Sequence, residues 1–498
     1  DTFARESLQL IYGKSTYKGK AASEIVFTWS LLPQHWQDVE LFEISRKDLK
    51  ENLKFDLGRK YFSIKEIIDN PRLSLLMQEL ESKRADREKL DPYFQGVERL
   101  ESQLQTFQAV VGGFAFSFVP ENEGHNWKSV REFDEGWKER YQSIVSAFAA
   151  SLQDPAKEHE LDLAVDSFIT AARAENPESY PSDLKIAAET HYNSVHPFRW
   201  AWITYLAAAI FLSCTLLFGW TGLWALGWVS VLIAFTLHTY GFGLRVFITG
   251  RPPVSNMYES IIWVAWGVVV FAMIFEYLKR KKYFIVSASI AATLAMVAAD
   301  VAPNIFDPTL QPLQPVLRSN LWLIVHVMTI TLGYSAFFLG FVLADIGLWH
   351  FIKDENAKKN QILNLSEATY RAVQVGVVLL AAGTILGGVW ADYSWGRFWG
   401  WDPKETWAFI ALMGYIAVLH CRIAGWVRHF GFMVLSAACF SLVIMAWYGV
   451  NFVLGAGLHS YGFGGGGIEY VTGFVAIEIV YLAYVTTVRR SRKKSRGV

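Results

Sequence analysis

Thirteen consecutive residues, WGRFWGWDPKETW at 395–407, hold four tryptophans: Trp395, Trp399, Trp401 and Trp407. Among them stand Arg397, Asp402, Lys404 and Glu405. Flat apolar rings edged by charge suit a large planar aromatic ligand with polar substituents. Gly396 and Gly400 allow close backbone approach, and Asp402 before Pro403 predicts a turn opening a helix. An aromatic belt at a membrane interface accounts for one or two of these rings. It accounts poorly for the repeated pattern.

Two histidines flank the segment, His326 in SNLWLIVHVMTITLGYS and His459 in NFVLGAGLHSYGFGGGG. Either alone suits a structural role. As a pair beside a planar-ligand platform they suggest axial ligands, because neutral imidazole binds iron well and two can cap both faces of one haem. The glycine run 462–467 gives the His459 loop freedom to close. The stretch FGLRVFITGRPPVSNMYES (242–260) places Arg245 and Arg251 before Asn256 and Glu259. Arginines pair with carboxylates such as haem propionates and equally anchor helices at an interface. His420, in MGYIAVLHCRIAGW, lies near the end of an apolar run, where an ionisable side chain is either functional or snorkels to the interface. His238, His350 and His429 read as structural or interfacial.

The elements that must position these residues are apolar runs. Hydrophobic residues make up 52 % of the 498-residue chain and charged residues 18 %, but the two classes are unevenly spread. Up to about residue 197 the chain is charged throughout. Beyond it, runs of about 20 apolar residues repeat, each long enough to span a bilayer. Nine spans are expected, at 200–219, 222–240, 257–278, 283–300, 321–350, 371–391, 405–423, 429–449 and 468–488. The basic tail RRSRKKSR (489–496) predicts a cytoplasmic C-terminus. Alternation then puts the basic loops 279–283, 353–359 and 422–428 on the same side. The loops 241–256, 301–320, 392–404 and 450–467 and the N-terminal region fall outside. Formal net charge is zero, which gives no argument for nucleic acid. Cys214, Cys421 and Cys439 all lie in apolar runs and read as small buried hydrophobes.

Residues 63–92, 93–116, 134–151 and 156–175 carry apolar positions at helical spacing, whereas 24–32 and 110–119 read as extended. The fold class is therefore an all-α polytopic membrane protein of about nine transmembrane helices, with a mainly helical N-terminal extracytoplasmic domain over 1–196. The histidines of that domain, His35, His125, His159, His191 and His196, form no motif with Cys or carboxylate. Its opening at Asp1, soluble in character, suggests removal of an upstream segment or one piece of a longer polypeptide.

WGRFWGWDPKETW closely resembles the WWD domain of haem-handling proteins in cytochrome c biogenesis, of the CcsA (ResC) type in system II. In that family one outer histidine precedes the WWD loop and another follows it, matching His326 and His459. A transmembrane histidine follows as well, matching His420. TGRPPVSNMYES is similar to the family's outer loop before a span. The resemblance covers roughly 220–490, with the WWD loop at 392–407. Residues 1–196 and the span 197–219 are less clear and resemble the tail of a CcsB (ResB) portion. The earlier spans of such a portion, which carry a second transmembrane histidine, are absent from this sequence.

The resemblance implies a bacterial cytoplasmic (inner) membrane protein handling haem b as substrate. Haem would pass His420 and dock on Trp395, Trp399, Trp401 and Trp407 with Asp402 at the edge. Arg245 and Arg251 would serve its carboxylates, and His326 and His459 its iron. The implied partners are apocytochrome c, a CcsB/ResB-like portion or subunit, and thiol-reducing proteins. The implied activity is that of a holocytochrome c synthase, with both thiols of a Cys-x-x-Cys-His segment adding across the haem vinyls. A haem transporter or chaperone without that chemistry is the alternative, and a transporter of another aromatic or lipid-linked substrate a third reading.

Overall fold

A computed structural model describes residues 1–85, 90–121, 126–302, 306–310, 321–454 and 467–495. The chain divides into two compact units, Asp1–Asn193 and Ser194–Val498.

In the first unit the helices Thr2–Tyr12, Ala22–Leu31 and Pro92–Val111 pack on one another. They bury Leu8, Ile11, Val26, Trp29, Phe107 and Val110. The third helix opens where Asp91 accepts the Phe94 N–H at 2.9 Å and Pro92 takes the first helical position, which satisfies one of the otherwise unpaired donors of the first turn. Gln103, buried on this helix, donates to the carbonyls of Leu10 (2.8 Å) and Glu43 (3.2 Å). A second core gathers Val119, Phe133, Trp137, Ile144 and Phe168. Short antiparallel ribbons pair Thr16–Tyr17 with Lys20–Ala21, Phe42–Glu43 with Tyr61–Phe62, and Ser117–Pro120 with Trp127–Ser129.

The expected strand at 24–32 is a helix. Its β-branched and aromatic residues suggest a strand, but the buried set Ile25, Val26 and Trp29 has the spacing of a helix face. The segment 110–119 divides, with helix to Val111 and strand from Ser117.

The second unit is all-helical among its described residues. Among the described residues, nine helices are long and apolar enough to cross a membrane: Pro197–Phe218, Gly222–Thr249, Met257–Lys279, Tyr283–Val301, Leu321–Asp354, Lys359–Trp395, Pro403–Ile423, His429–Ile444 with its continuation, and Ile468–Ser495. They are spans one to nine below, and the protein is a multi-pass membrane protein. Span two runs nine residues beyond its expected end at 240. The reason is Gly241, which reads as a breaker but serves close packing: a Cβ there would come within 2.9 Å of the Phe198 ring. Arg245, expected in a loop, is therefore inside a helix.

Spans five and six make the most extensive helix pair. They approach through small residues, as membrane helices do where no hydrophobic drive separates helix from lipid. A Cβ at Gly383 would lie 2.7 Å from Ile330 Cβ and 2.8 Å from its Cα. Nearby, Phe337 of span five stacks on Tyr415 of span seven at 3.8 Å between ring centroids. Span eight changes winding at Met445 and continues to Leu454 as a π-helix, a form found mostly in short pieces at functional sites.

Candidate functional site

The WWD segment is a helix end, a turn and a helix start. Span six ends at Trp395, with Gly396 left-handed as its cap. Span seven starts at Pro403 behind a capping box. Asp402 Oδ1 accepts the Lys404 N–H at 3.0 Å, and Glu405 Oε2 accepts the N–H groups of Asp402 (3.2 Å) and Gly400 (2.8 Å). Arg397 pairs with Glu405 at 3.3 Å and lies over the Trp395 ring. The charged residues of the motif thus fold the turn on itself and fix where its rings stand.

The rings have different fates. Trp399 lines a cavity of about 300 Å³, near the lower end of the size range of small-molecule pockets. Trp395 packs edge-on against the buried Trp390, with centroids 4.6 Å apart, and Trp390 also lines the cavity. Trp401 is 68 % exposed, perpendicular to Trp399 at 5.8 Å. Its φ of 56° is left-handed, uncommon for a bulky residue and found more often at functional sites. Trp407 is half-buried on span seven, and Asp402 is buried as the cap. Neither lines the cavity.

His326 lines the cavity from the first turns of span five. Its Nδ1 is 2.6 Å from the Gly383 carbonyl oxygen. A carbonyl only accepts, so Nδ1 carries the proton and Nε2 the lone pair. An imidazole anchored in this way is the usual form of a histidine metal ligand. Gly387 completes the seat, because a Cβ there would lie 2.6 Å from His326 Cε1. The carbonyl that orients the ring and the space that receives it therefore come from one GTILGG stretch of span six.

The 250–256 turn forms another wall. Arg251 lines the cavity, and its buried Nε has no hydrogen-bond partner among the described residues. Burial pulls its pKa below the ordinary arginine value, but a guanidinium stays cationic. Arg245 lies apart from the lining. It is fully buried, pairs with Glu259 at 2.8 Å and donates to the Pro308 carbonyl at 2.9 Å. Glu259 also accepts from Ser255 N and Oγ, so the pair holds the turn that carries Arg251.

The remaining wall comes from the π-helical end of span eight, which supplies Trp447 and Asn451. Asn451 Oδ1 accepts from Lys404 Nζ at 3.0 Å, and its Nδ2 donates to the Trp447 carbonyl at 3.0 Å. The sequence reading singled out neither residue. The signal for Asn451 was a side-chain amide inside the apolar run SLVIMAWYGVNFVL. Nothing in the sequence marks the π-helix.

His420 is elsewhere, exposed near the far end of span seven, with Nδ1 bonded to the Ile416 carbonyl at 2.8 Å. His238 is fully buried against Phe198, Tyr205 and Phe242. His459 lies outside the described residues. The structure thus brings His326, Trp399 and Arg251 to one cavity and leaves Arg245, Trp395, Trp401, Trp407, Asp402 and His420 off its lining. Three indole-bearing walls, one nitrogen lone pair and a guanidinium donor fit a flat aromatic iron chelate with carboxylates.

The family described as cytochrome C assembly protein matches residues 254–459. Protein NrfI of Wolinella succinogenes is 31 % identical over 490 residues, covering 93 % of this chain and 52 % of that protein. The chain thus spans about half the length of that curated relative. The cytochrome c biogenesis protein CcsA of Prochlorococcus marinus is 34 % identical over 264 residues, 47 % of this chain and 83 % of that protein. CcsA of Guillardia theta is 34 % identical over 263 residues, with 48 % and 85 % covered. Among solved structures, cytochrome c haem lyase CcmF matches at a TM-score of 0.41 and 15 % identity, over 59 % of this chain and 50 % of that one.

Proposed function

The chain belongs to the CcsA-type family of cytochrome c assembly proteins, and on that premise we propose that its cavity holds haem b as substrate and presents it for attachment to apocytochrome c. The observation that carries this reading is His326: a tautomer fixed by Gly383 leaves the lone pair on Nε2 of an imidazole that lines the same cavity as Trp399, Trp390 and Trp447. His326 is one axial ligand, and His459 is the other by its place in the sequence. Trp399 contacts the ring plane, with Trp395, Trp401 and Trp407 supporting the platform around it. Asp402 keeps the turn in shape. Arg251 meets a propionate, while Arg245 acts at one remove by holding the turn.

Attachment asks little covalent chemistry of the protein. Each thiol of a Cys-x-x-Cys-His segment adds its S–H across a vinyl C=C, sulfur to one carbon and hydrogen to the other, so nothing leaves. The chain's own Cys214, Cys421 and Cys439 lie in helices away from the cavity lining, so both sulfurs come from the substrate protein. What the site contributes is position and control of iron ligation. The cavity end faces the extracytoplasmic side of a bacterial inner membrane and the basic tail the cytoplasm. His420, at the opposite end of span seven, is a stop for haem entering from the cytoplasm. Residues 1–196 with the span 197–219 act as a CcsB-like portion, and thiol-reducing proteins keep the substrate cysteines reduced.

The test is the absorption spectrum of the purified protein, oxidised and reduced. Wild type should show two-histidine haem. His326→Ala should lose that signature, bind haem at least about tenfold more weakly, and regain part of the signal with added imidazole. An unchanged spectrum would falsify ligation by His326. Co-expression with a c-type apocytochrome separates attachment from transport alone, because only attachment gives covalent haem.

A further inference from the structure

We infer that Lys404 is a second cationic contact for the ligand's carboxylates, so that Lys404 and Arg251 together set which edge of the ring faces out of the cavity. This rests on the haem reading above and deepens it. Lys404 sits in the first turn of span seven, within the tryptophan motif, and lines the cavity. Its ammonium has no carboxylate within ion-pair distance among the described residues. Its hydrogen-bond acceptor there is neutral, Asn451 Oδ1 at 3.0 Å.

That acceptor is held in place. Asn451 is buried, and its Nδ2 is committed to the Trp447 carbonyl and lies 3.6 Å from Met257 Sδ. The amide therefore cannot turn without losing these contacts, and its oxygen stays on Lys404. An ammonium carries three donors, so two remain for other acceptors. A cation this close to the membrane interior, with a neutral hydrogen-bond acceptor and the Asp402 carboxylate acting only from beyond ion-pair distance, is costly unless an anion completes it.

The charges facing the cavity agree. Among the described residues, Arg251, His326, Lys404 and Glu405 are its ionisable charged or basic lining groups. Glu405 is paired with Arg397 at 3.3 Å. Asp402, off the lining, spends Oδ1 on the Lys404 backbone N–H. Among the described residues, neither Arg251 on the 250–256 turn nor Lys404 on span seven has a carboxylate within ion-pair distance; Glu259 and Asp402 act on them only from farther off. A ligand with two carboxylates on one edge satisfies both cations. In haem b the two propionates share one edge and the vinyls lie away from it. Holding the propionates inward turns the vinyls toward an incoming thiol. Lys404 is thus a positioning residue for attachment.

The experiment titrates the detergent-purified full chain with ferric haem and with ferric haem dimethyl ester, whose carboxylates are blocked. It follows the Soret band and scores only the binding that His326→Ala removes. K404Q should weaken haem binding by roughly tenfold or more, the loss of a charge-assisted hydrogen bond. It should leave ester binding as in wild type, and K404R should restore haem binding. Equal weakening for both ligands would show a merely structural role and overturn the proposal. So would K404Q binding haem as tightly as wild type while H326A does not, and the haem reading would then still stand. If wild type shows no His326-dependent haem, that reading and this one fall together. Should K404Q not accumulate, K404R carries the test: wild-type preference for haem over the ester supports the proposal, and a lost preference overturns it.

Discussion

At the far end of span seven, Arg422 donates to Ser366 Oγ at 2.7 Å, stands 3.7 Å from Glu367 and lies over the rings of Tyr370 and Phe432. His429 shares the same hydroxyl at 2.9 Å. At the near end of that helix, Lys404 meets a neutral amide, and Arg251, on the same cavity, keeps a buried Nε without a hydrogen-bond partner among the described residues. Both ends combine basic side chains with aromatic rings. At one the protein answers its own charges, and at the other it leaves donors for something else. Composition would treat the two ends alike. On the proposal above, the state of the hydrogen bonds separates a structural cation from one that awaits a ligand.

The same contrast recurs between two arginines six positions apart and gives the largest expected effect. Arg245→Ala strands Glu259 in a buried site and should cost about 3–5 kcal/mol in thermal or denaturant unfolding. Arg251→Ala should change stability by about 0.5 kcal/mol or less while weakening haem binding. If both variants lost stability alike, the contrast would break.

The tryptophans sharpen it next. Trp399→Ala removes a cavity wall and should lower haem affinity by about tenfold or more, as for a buried aromatic anchor. Trp401→Ala, with the ring already 68 % exposed, should fall well short of that in the same titration. Reversed magnitudes would move the platform to the exposed ring.

Gly387→Ala tests the seat of His326. A methyl group 2.6 Å from Cε1 must displace the ring, because contacts that short are repulsive. We expect an altered haem spectrum and a few-fold loss of affinity, with the helices still folded by circular dichroism.

The smallest effect lies in the first unit, remote from ligand chemistry. The hydrogen bond from Arg59 is the largest influence holding the Glu66 carboxyl down at about 2 against an ordinary 4.5. A depressed carboxylate stabilises above its unfolded value, and that support fades as pH falls from about 4.5 toward 2. Hydrogen-exchange protection in this unit, taken relative to the intrinsic exchange rate at each pH, should therefore fall slightly over that window. Glu66→Gln should remove only the share that Glu66 contributes, because Glu43, Asp48 and Glu132 are depressed too, and the change should be small because the pair is solvated.

The sequence showed span existence well because a bilayer demands about 20 apolar residues whatever their neighbours. It showed ends less well. Gly241 looks like a stop until the Phe198 ring is seen against it, and the pattern around 24–32 satisfies both strand composition and helix spacing. In the site, His326 and Trp399 were legible as candidates because an ionisable side chain is rare in a span and four tryptophans in thirteen residues exceed what an interfacial belt needs. Their partners were not, because Gly383 and Gly387 work by being small, and smallness in a membrane helix has many causes.

From the sequence alone follow nine membrane-crossing helices, a charged N-terminal region and a tryptophan segment between two histidines. Hydropathy and side-chain chemistry are local properties, written residue by residue. The tertiary structure decided which tryptophan faces the cavity, which arginine is already satisfied, and that span eight unwinds into a π-helix to bring Asn451 against Lys404. Those are outcomes of packing between segments far apart in the chain. A residue's type carries its capacity to bind, but only its neighbours determine whether that capacity is already used.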